Sequence, residues 1–523
     1  MLKGVTHNLL VDRGGFQFPK NIDVADDAAM LSPTRNMIFI DGGRQKRRGT
    51  TQPLDAADNG QLQVLLPYTK LDGTKYLMAV TDTGNVYDLI SGSAKGTYTN
   101  SGAVSGVVFG DTAYITGVAA TPKKSTGGVF AALTLIPTDW GVLGPKQFLV
   151  RRAGNSNRLV AIGVPGHENE IYFSLADSDD LSDANVIVLT IEVGEAGGLV
   201  GGIEFGNRLV VFSKIKAFII DDVDVLPSNW SWVQAQWTGG AEFWRLTVKT
   251  QNDLYAMMGD GDVYSVVTAQ EYGDYKAASV ARPAWVHRWI QENIDLTRLD
   301  EGHSVYDPEL RCVYWFLPRN GSSFVDMALV YFIDRPPAEA WMPHDNLALD
   351  SGFRATCSAF GVVPNQAFSK VLTGGPTGRM WYLNSDEAML SDDSGAYEAG
   401  FATAHLHQGN PRSRKRYKYG HILSTVEGDF DLTVEIYVDG DYKTTKTVTL
   451  GTGGGAYGSS LYGPTAYYGG DEYLIADFPI NYIGTRLQYR IRNNNAAEDF
   501  FVSRLMTDFK ELGLRPSSSI ANR

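Results

Sequence analysis

Tyr76-Leu-Met-Ala-Val80, Asp82-Thr-Gly84 and Asn85-Val-Tyr-Asp-Leu89 form one continuous stretch of apolar run, turn and second apolar run. Short apolar runs cut by Gly, Asn or Asp are a strand signal, and two of them around such a turn read as a hairpin. The same pattern returns at 106–117 around Gly110-Asp111, and at 158–173 around Gly166-His167-Glu168-Asn169. It recurs at 203–220 around Gly206-Asn207, at 254–267 around Gly259-Asp260-Gly261, and at 303–333 and 359–383. About seven hairpin-like units therefore lie between residues 60 and 390. They predict a mainly β fold, a β-propeller of six or seven four-stranded blades whose stacking leaves few open strand edges. Six blades fit the length slightly better. The alternative is a pair of β-sandwiches joined by long loops, since no per-blade signature such as Trp-Asp is present. Helical periodicity is confined to Ala284–Ile294 and Ser503–Leu512.

The 523 residues hold 46 Lys and Arg against 59 Asp and Glu, a net charge of -13. With 43% hydrophobic and 20% charged residues, wholesale disorder is excluded. So is a general polyanion binder, which needs a broad basic surface. The acid is unevenly spread. Residues 61–397 carry 24 basic and 38 acidic side chains, whereas 1–60 carry 8 and 7, and 398–523 carry 14 of each. This divides the chain into an N-terminal segment (1–60), a propeller (61–397) and a C-terminal β segment (398–523). In the last, Asp431-Leu-Thr-Val-Glu-Ile-Tyr-Val438 alternates as a strand with one wet face, turns at Asp439-Gly440 and resumes through Val448-Thr-Leu450. Leu487–Ile491 and Phe500–Leu505 add two further strands. Residues 451–473 hold eight Gly and five Tyr, the composition of an ordered contact loop presenting Tyr457, Tyr462, Tyr467 and Tyr468, with a flexible linker as the alternative.

Two cysteines, Cys312 and Cys357, cannot build a disulfide framework, and their apolar surroundings predict buried free thiols. Residues 1–20 lack the apolar run of a secretory signal, and no apolar stretch is long enough for a membrane span, so folding in a reducing cytoplasm is expected. No phosphate-binding GxxxxGK[ST] loop, dinucleotide GxGxxG turn or GxSxG elbow occurs. His405 and His407 alternate without a nearby acidic or thiol ligand, and read as surface polar residues rather than zinc ligands. Asp177–Asp183 is acid-dense but lacks the Gly and terminal Glu of a calcium loop, and reads as a hydrogen-bonded turn. No catalytic, cofactor-binding or metal-ligating set is identified.

Two basic clusters stand out: Arg44, Lys46, Arg47 and Arg48, then Arg412, Arg414, Lys415 and Arg416. Either could contact phosphates or pair with carboxylates of a neighbouring subunit.

The first cluster belongs to Asn36-Met-Ile-Phe-Ile-Asp41, Gly42-Gly43, Arg47-Arg48-Gly49-Thr50. It is followed in order by Glu170-Ile-Tyr-Phe-Ser174, by Gly201 to Ser213 with Lys216-Ala-Phe-Ile-Ile220, and by Asp253-Leu-Tyr-Ala to Gly261-Asp-Val-Tyr264. This series resembles the tail nozzle proteins of short-tailed bacteriophages, also called tail tubular or packaged-DNA stabilisation proteins. There a glycine turn leads into Arg-(Arg/Pro)-Gly-Thr, and Arg48 stands where Pro is frequent. The likeness covers about residues 30–270 by motif and the rest only by character. It implies a non-enzymatic virion protein of the phage tail, assembled in the host cytoplasm. It also implies a homo-hexamer below the portal and adaptor rings, with tail fibres or spikes as further neighbours, through which double-stranded DNA passes. A β-sandwich-like platform built from both chain ends would accompany the propeller. An acidic or mixed wall would let phosphates slide, so both basic clusters are expected to hold subunit or adaptor contacts. Charge reversal at Arg47 and Arg48 should then block assembly and spare the fold. The competing readings are a carbohydrate-binding or glycan-cleaving propeller acting as a host-surface adhesin, and a structural propeller with a protein partner alone.

Overall fold

The computed structural model describes residues 5–11, 15–19, 29–40, 42–100, 102–194, 197–237, 239–268, 275–345, 354–362, 369–383, 392, 396–425, 430–450, 473–495 and 498–514. Its strands pair with their sequence neighbours because the turns between them are short and permissive. In the deciding stretch, Lys75–Thr81 pairs antiparallel with Asn85–Asp88, Ala79 facing Tyr87 and Val80 facing Val86. Gly84 turns the chain at φ 87°, which costs an L-residue with a side chain far more than glycine.

Among the described residues, seven four-stranded antiparallel sheets follow one another along the chain. Six are sequence-local, at 62–97, 105–132, 147–190, 199–234, 247–279 and 303–344. The seventh is built from Cys357–Val362, Ser369–Gly374 and Arg379–Tyr382, and its outer strand is Thr51–Asp55, from the other end of the chain. The chain length slightly favours six sheets; seven are present among the described residues, the last completed by a strand that the sequence division at residue 60 assigns to the N-terminal segment.

The first strand of each sheet packs against the first strand of the next, and that of the seventh packs against Leu62–Thr69 of the first. A separate apolar cluster fills each junction. One joins Leu66, Val80 and Tyr98 to Val104 and Ile115, and another joins Leu62, Leu77 and Ala79 to Cys357, Leu372 and Met380. Inner strands are thus covered on both faces: Lys75–Thr81 is buried over its last five residues, and Val325–Phe332 over its whole length. Outer strands such as Ile187–Thr190 alternate between half-buried and exposed. The arrangement is propeller-like and mainly β, with 56% strand.

Both chain ends enter three further sheets. Val5–Leu10 pairs with Arg504–Leu514, which pairs with Ser413–Thr425 and then Tyr473–Gly484. Met30–Arg35 begins a five-stranded sheet containing Ala399–Thr403, Leu487–Asn493, Asp431–Val438 and Asp441–Thr449. Met37–Ile40, Gly43–Lys46 and Phe501–Val502 form the third. Their core is continuous with the sixth and seventh sheets: Met30, Met37, Leu432 and Tyr489 share one apolar cluster with Tyr314, Val330 and Trp381.

The helix expected at 284–294 is present as Val286–Asn293. The one expected at 503–512 is instead the strand Arg504–Leu514. Leu505, Thr507 and Phe509 are buried on its inner face, and its two partner strands satisfy its backbone. Cys312 and Cys357 are buried free thiols, and burial raises the Cys357 thiol to about 11. No described helix is long and apolar enough to cross a membrane. Residues 177–183 form a hydrogen-bonded turn, in which Asp177 Oδ1 accepts from the Asn157 amide at 3.0 Å and Asp180 Oδ1 from the Ser182 amide at 2.9 Å. His405 and His407 are half-buried rather than on the surface.

Candidate functional site

The two basic clusters have opposite fates. Gly43–Lys46 is the middle strand of its sheet, so its side chains meet neighbours on both sides. Arg44 is buried with its guanidinium 5.6 Å from the Phe39 ring and 5.5 Å from the Phe401 ring. The buried Lys46 ammonium donates to the carbonyls of Asn495 and Glu498 at 2.9 Å and lies 4.5 Å from the Tyr397 ring centroid. Arg47 grips Asp392 with two parallel bonds, Nη1 to Oδ1 at 2.8 Å and Nη2 to Oδ2. Its Nε donates to Asn36 Oδ1 at 3.1 Å, and its guanidinium lies over the Tyr397 ring at 4.0 Å. Arg48 pairs with Asp499 at 2.9 Å.

Residues Arg44, Lys46, Arg47 and Arg48 therefore staple the N-terminal strands to residues 392–499 of the same chain. The expectation that they hold a subunit or adaptor contact is corrected: three of them are buried, and their partners are internal. Charge reversal at Arg47 should damage the isolated fold, not spare it.

Burial works against the charge on Arg47, but Asp392 beside it outweighs that and holds the guanidinium above its ordinary range. For Lys46 burial outweighs the opposing pull of Asp499, and lowers it to about 8 from 10.5. Between those values the unfolded chain binds a proton that the folded chain does not, so stability rises with pH across that window. Below it the cost of burying the charge is felt in full. Urea denaturation should therefore show the stability of the wild type rising relative to Lys46→Met by about 2–3 kcal/mol between roughly pH 7.5 and 10. A constant gap between the two proteins would show that Lys46 does not titrate there.

The second cluster begins the strand Ser413–Thr425, whose alternation sorts it. Ser413, Lys415 and Tyr417 point inward and are buried; Arg412, Arg414, Arg416 and Lys418 are exposed. Lys415 donates to the Asn410 carbonyl at 2.8 Å, and burial lowers its pKa, so it too is internal and is corrected as a contact residue. Arg416 faces Lys510 on one neighbouring strand and Ile483 on the other. With the exposed Tyr419, Ile483 and Leu512, this part of the sheet presents cations among apolar side chains. Tyr457, Tyr462, Tyr467 and Tyr468 lie outside the described residues.

A third feature has no local signature along the chain: a cavity of about 570 Å³ where the sheets converge. It is lined by the segments leading into the first strands of the sheets, among them Gln63, Lys146, Trp244, Arg245, Asp300 and Thr356. These residues come from five different sheets or their approaches, so no local motif marks them.

No family model matches the chain, and no curated protein matches it. Solved structures overlap with it partially. The computationally designed Ika8 protein is 10% identical, with 71% of this chain and 99% of that chain covered and a TM-score of 0.36. BBS1N, solved in complex with ARL6DN, is 9% identical over 66% and 99%, with a TM-score of 0.41. The extracellular domain of the putative hybrid two-component system BT4673 from B. thetaiotaomicron is 10% identical over 71% and 43%, with a TM-score of 0.38. Nothing about ligand or partner follows from likenesses at these scores.

Proposed function

We propose that this chain is a structural subunit of a short-tailed phage tail, a nozzle protein whose copies close as a hexamer around a DNA channel below the adaptor. The observation that carries this reading is the weave of both chain ends. Strands at 5–10, 30–35 and 43–46 complete sheets made from residues 399–514, beside seven four-stranded sheets. A β-propeller carrying a platform made of the chain's two ends is the architecture that the ordered motifs at 36–50, 170–174, 201–220 and 253–264 imply.

Assembly would use the exposed face of Ser413–Thr425 and the preceding Arg412. Its Arg412, Arg414, Arg416 and Lys418 meet, in a neighbouring copy, the surface of the acidic middle segment, whose net charge is -14. An acidic or mixed channel wall would displace few counterions from DNA and so would not retard it.

Electron microscopy of the purified chain, alone and with tail extract, tests the reading. Six-fold rings with an axial channel wide enough for duplex DNA are expected, and solitary protomers under both conditions would overturn it. The variant Arg412→Glu/Arg414→Glu/Arg416→Glu should stay folded, since exposed substitutions typically change stability by less than about 0.5 kcal/mol each. It should nonetheless lose ring formation. Normal rings from that variant would remove this face from the interface.

A further inference from the structure

We infer that this cavity, lined by residues from six of the seven sheets or their approaches, is a binding site for a carboxylated sugar, such as a hexuronate or a sialic acid. The inference is independent of the nozzle reading. A volume of about 570 Å³ lies within the range of small-ligand sites. Two half-buried cations line it, Arg245 and Lys146. Arg245 donates Nη2 to the Thr356 carbonyl, and Lys146 reaches the Leu199 carbonyl at a long 3.4 Å. Neither forms an ion pair among the described residues, although cations withdrawn from water are ordinarily paired. Burial lowers the pKa of both.

Three further properties narrow the ligand. Gln63 also lines the cavity, its side-chain amide nitrogen 3.4 Å from the Asn100 carbonyl, and brings a polar amide within reach of a sugar hydroxyl. Half-buried Phe243 and Trp244, with ring centroids 5.8 Å apart, supply an apolar wall for the C–H face of a sugar ring. The exposed carboxylates Asp82, Asp300 and Glu301 also line the cavity, Glu301 already paired with Arg298 at 2.6 Å. They would repel a dianion such as phosphate, but they accept hydrogen bonds from sugar hydroxyls. A single carboxylate against Arg245, with hydroxyls toward Gln63, Asp82 and Asp300, meets all of these requirements.

Calorimetric titration of the full chain with glucuronate, N-acetylneuraminate, glucose and inorganic phosphate tests this. At least one acid sugar should bind tenfold or more tightly than glucose and phosphate, a difference of about 1.4 kcal/mol. Arg245→Gln should weaken that binding tenfold or more, and Arg245→Lys should recover part of it. Because Arg245 also holds the Thr356 carbonyl, Lys146→Gln provides a second variant, and thermal melts confirm that each variant is folded. The inference is overturned if neither acid sugar binds in the millimolar range, if phosphate or glucose binds as well, or if folded Arg245→Gln and Lys146→Gln both bind like the wild type. Ring formation in the microscope does not depend on any of these results.

Discussion

Arg47→Met is expected to destabilise the chain by about 3–5 kcal/mol, the cost of leaving a buried charge without its partner. The side chains of Arg47 and Asp392 are 3% and 1% exposed, so water cannot take the place of the guanidinium. Arg47 also anchors Asn36, whose amide nitrogen donates to Asp345 Oδ1 at 3.0 Å and to the Glu398 carbonyl at 2.7 Å, so the loss spreads into the junction of the chain ends. The double variant Arg47→Met/Asp392→Leu should regain a large part of the loss, because replacing both charges removes the uncompensated burial. Urea denaturation of the two variants and the wild type reads the difference. A single variant as stable as the wild type would show that Asp392 finds other solvation. Arg47→Glu would set two carboxylates together in the same dry site and should fail to fold, so it cannot report on assembly.

A loss of similar size, about 3–5 kcal/mol, is expected for Trp341→Ala, for a different reason. Trp341 is fully buried in the sixth sheet, with ring centroids 4.8 Å from Tyr331 and 5.7 Å from Trp315. Its indole donates to the Val280 carbonyl at 2.8 Å, and its own carbonyl accepts from the Phe16 amide at 3.0 Å. One side chain thus ties the fifth sheet to the sixth, and its backbone ties in the N-terminal segment. Truncation leaves a cavity that surrounding sheets, pinned by their own ladders, cannot collapse into. Trp341→Phe keeps most of the packing and orphans only the carbonyl, for an expected cost of about 1–3 kcal/mol. Thermal unfolding should rank wild type, Phe and Ala in that order. Equal losses for Phe and Ala would mean that the hydrogen bond, not the packing, holds this junction.

The hairpins were legible because their partners are sequence neighbours. A turn such as Gly84 and the apolar runs beside it contain nearly all the information that the pairing of Lys75–Thr81 with Asn85–Asp88 requires. The strand Asp431–Val438 was legible for the same reason, its partner Asp441–Thr449 following directly. Arg504–Leu514 was not. Leu505, Phe509 and Leu512 fall at helical spacing, and only the distant strands 413–425 and 5–10 decide that the chain is extended there. Likewise Thr51–Asp55 completes a sheet more than three hundred positions away, which no local pattern can announce.

The basic clusters make the same point about function. Arg44–Arg48 and Arg412–Arg416 look alike as strings of charge, yet one is sealed against Asp392, Asp499 and Tyr397 while the other alternates between core and solvent. Strand alternation could have sorted Lys415 from Arg414 and Arg416, because side chains on a strand change face at every residue. Nothing local could have found Asp392.

By itself, then, the amino-acid order determined the hairpin units, their approximate number, the free thiols and the acidic middle, all properties carried by neighbours in the chain. Only the tertiary structure decided which cations are internal, which strand completes the seventh sheet and that Gln63, Lys146 and Arg245 share one cavity. Burial and pairing are set by residues that meet in space after folding, and their separation along the chain hides them until it does.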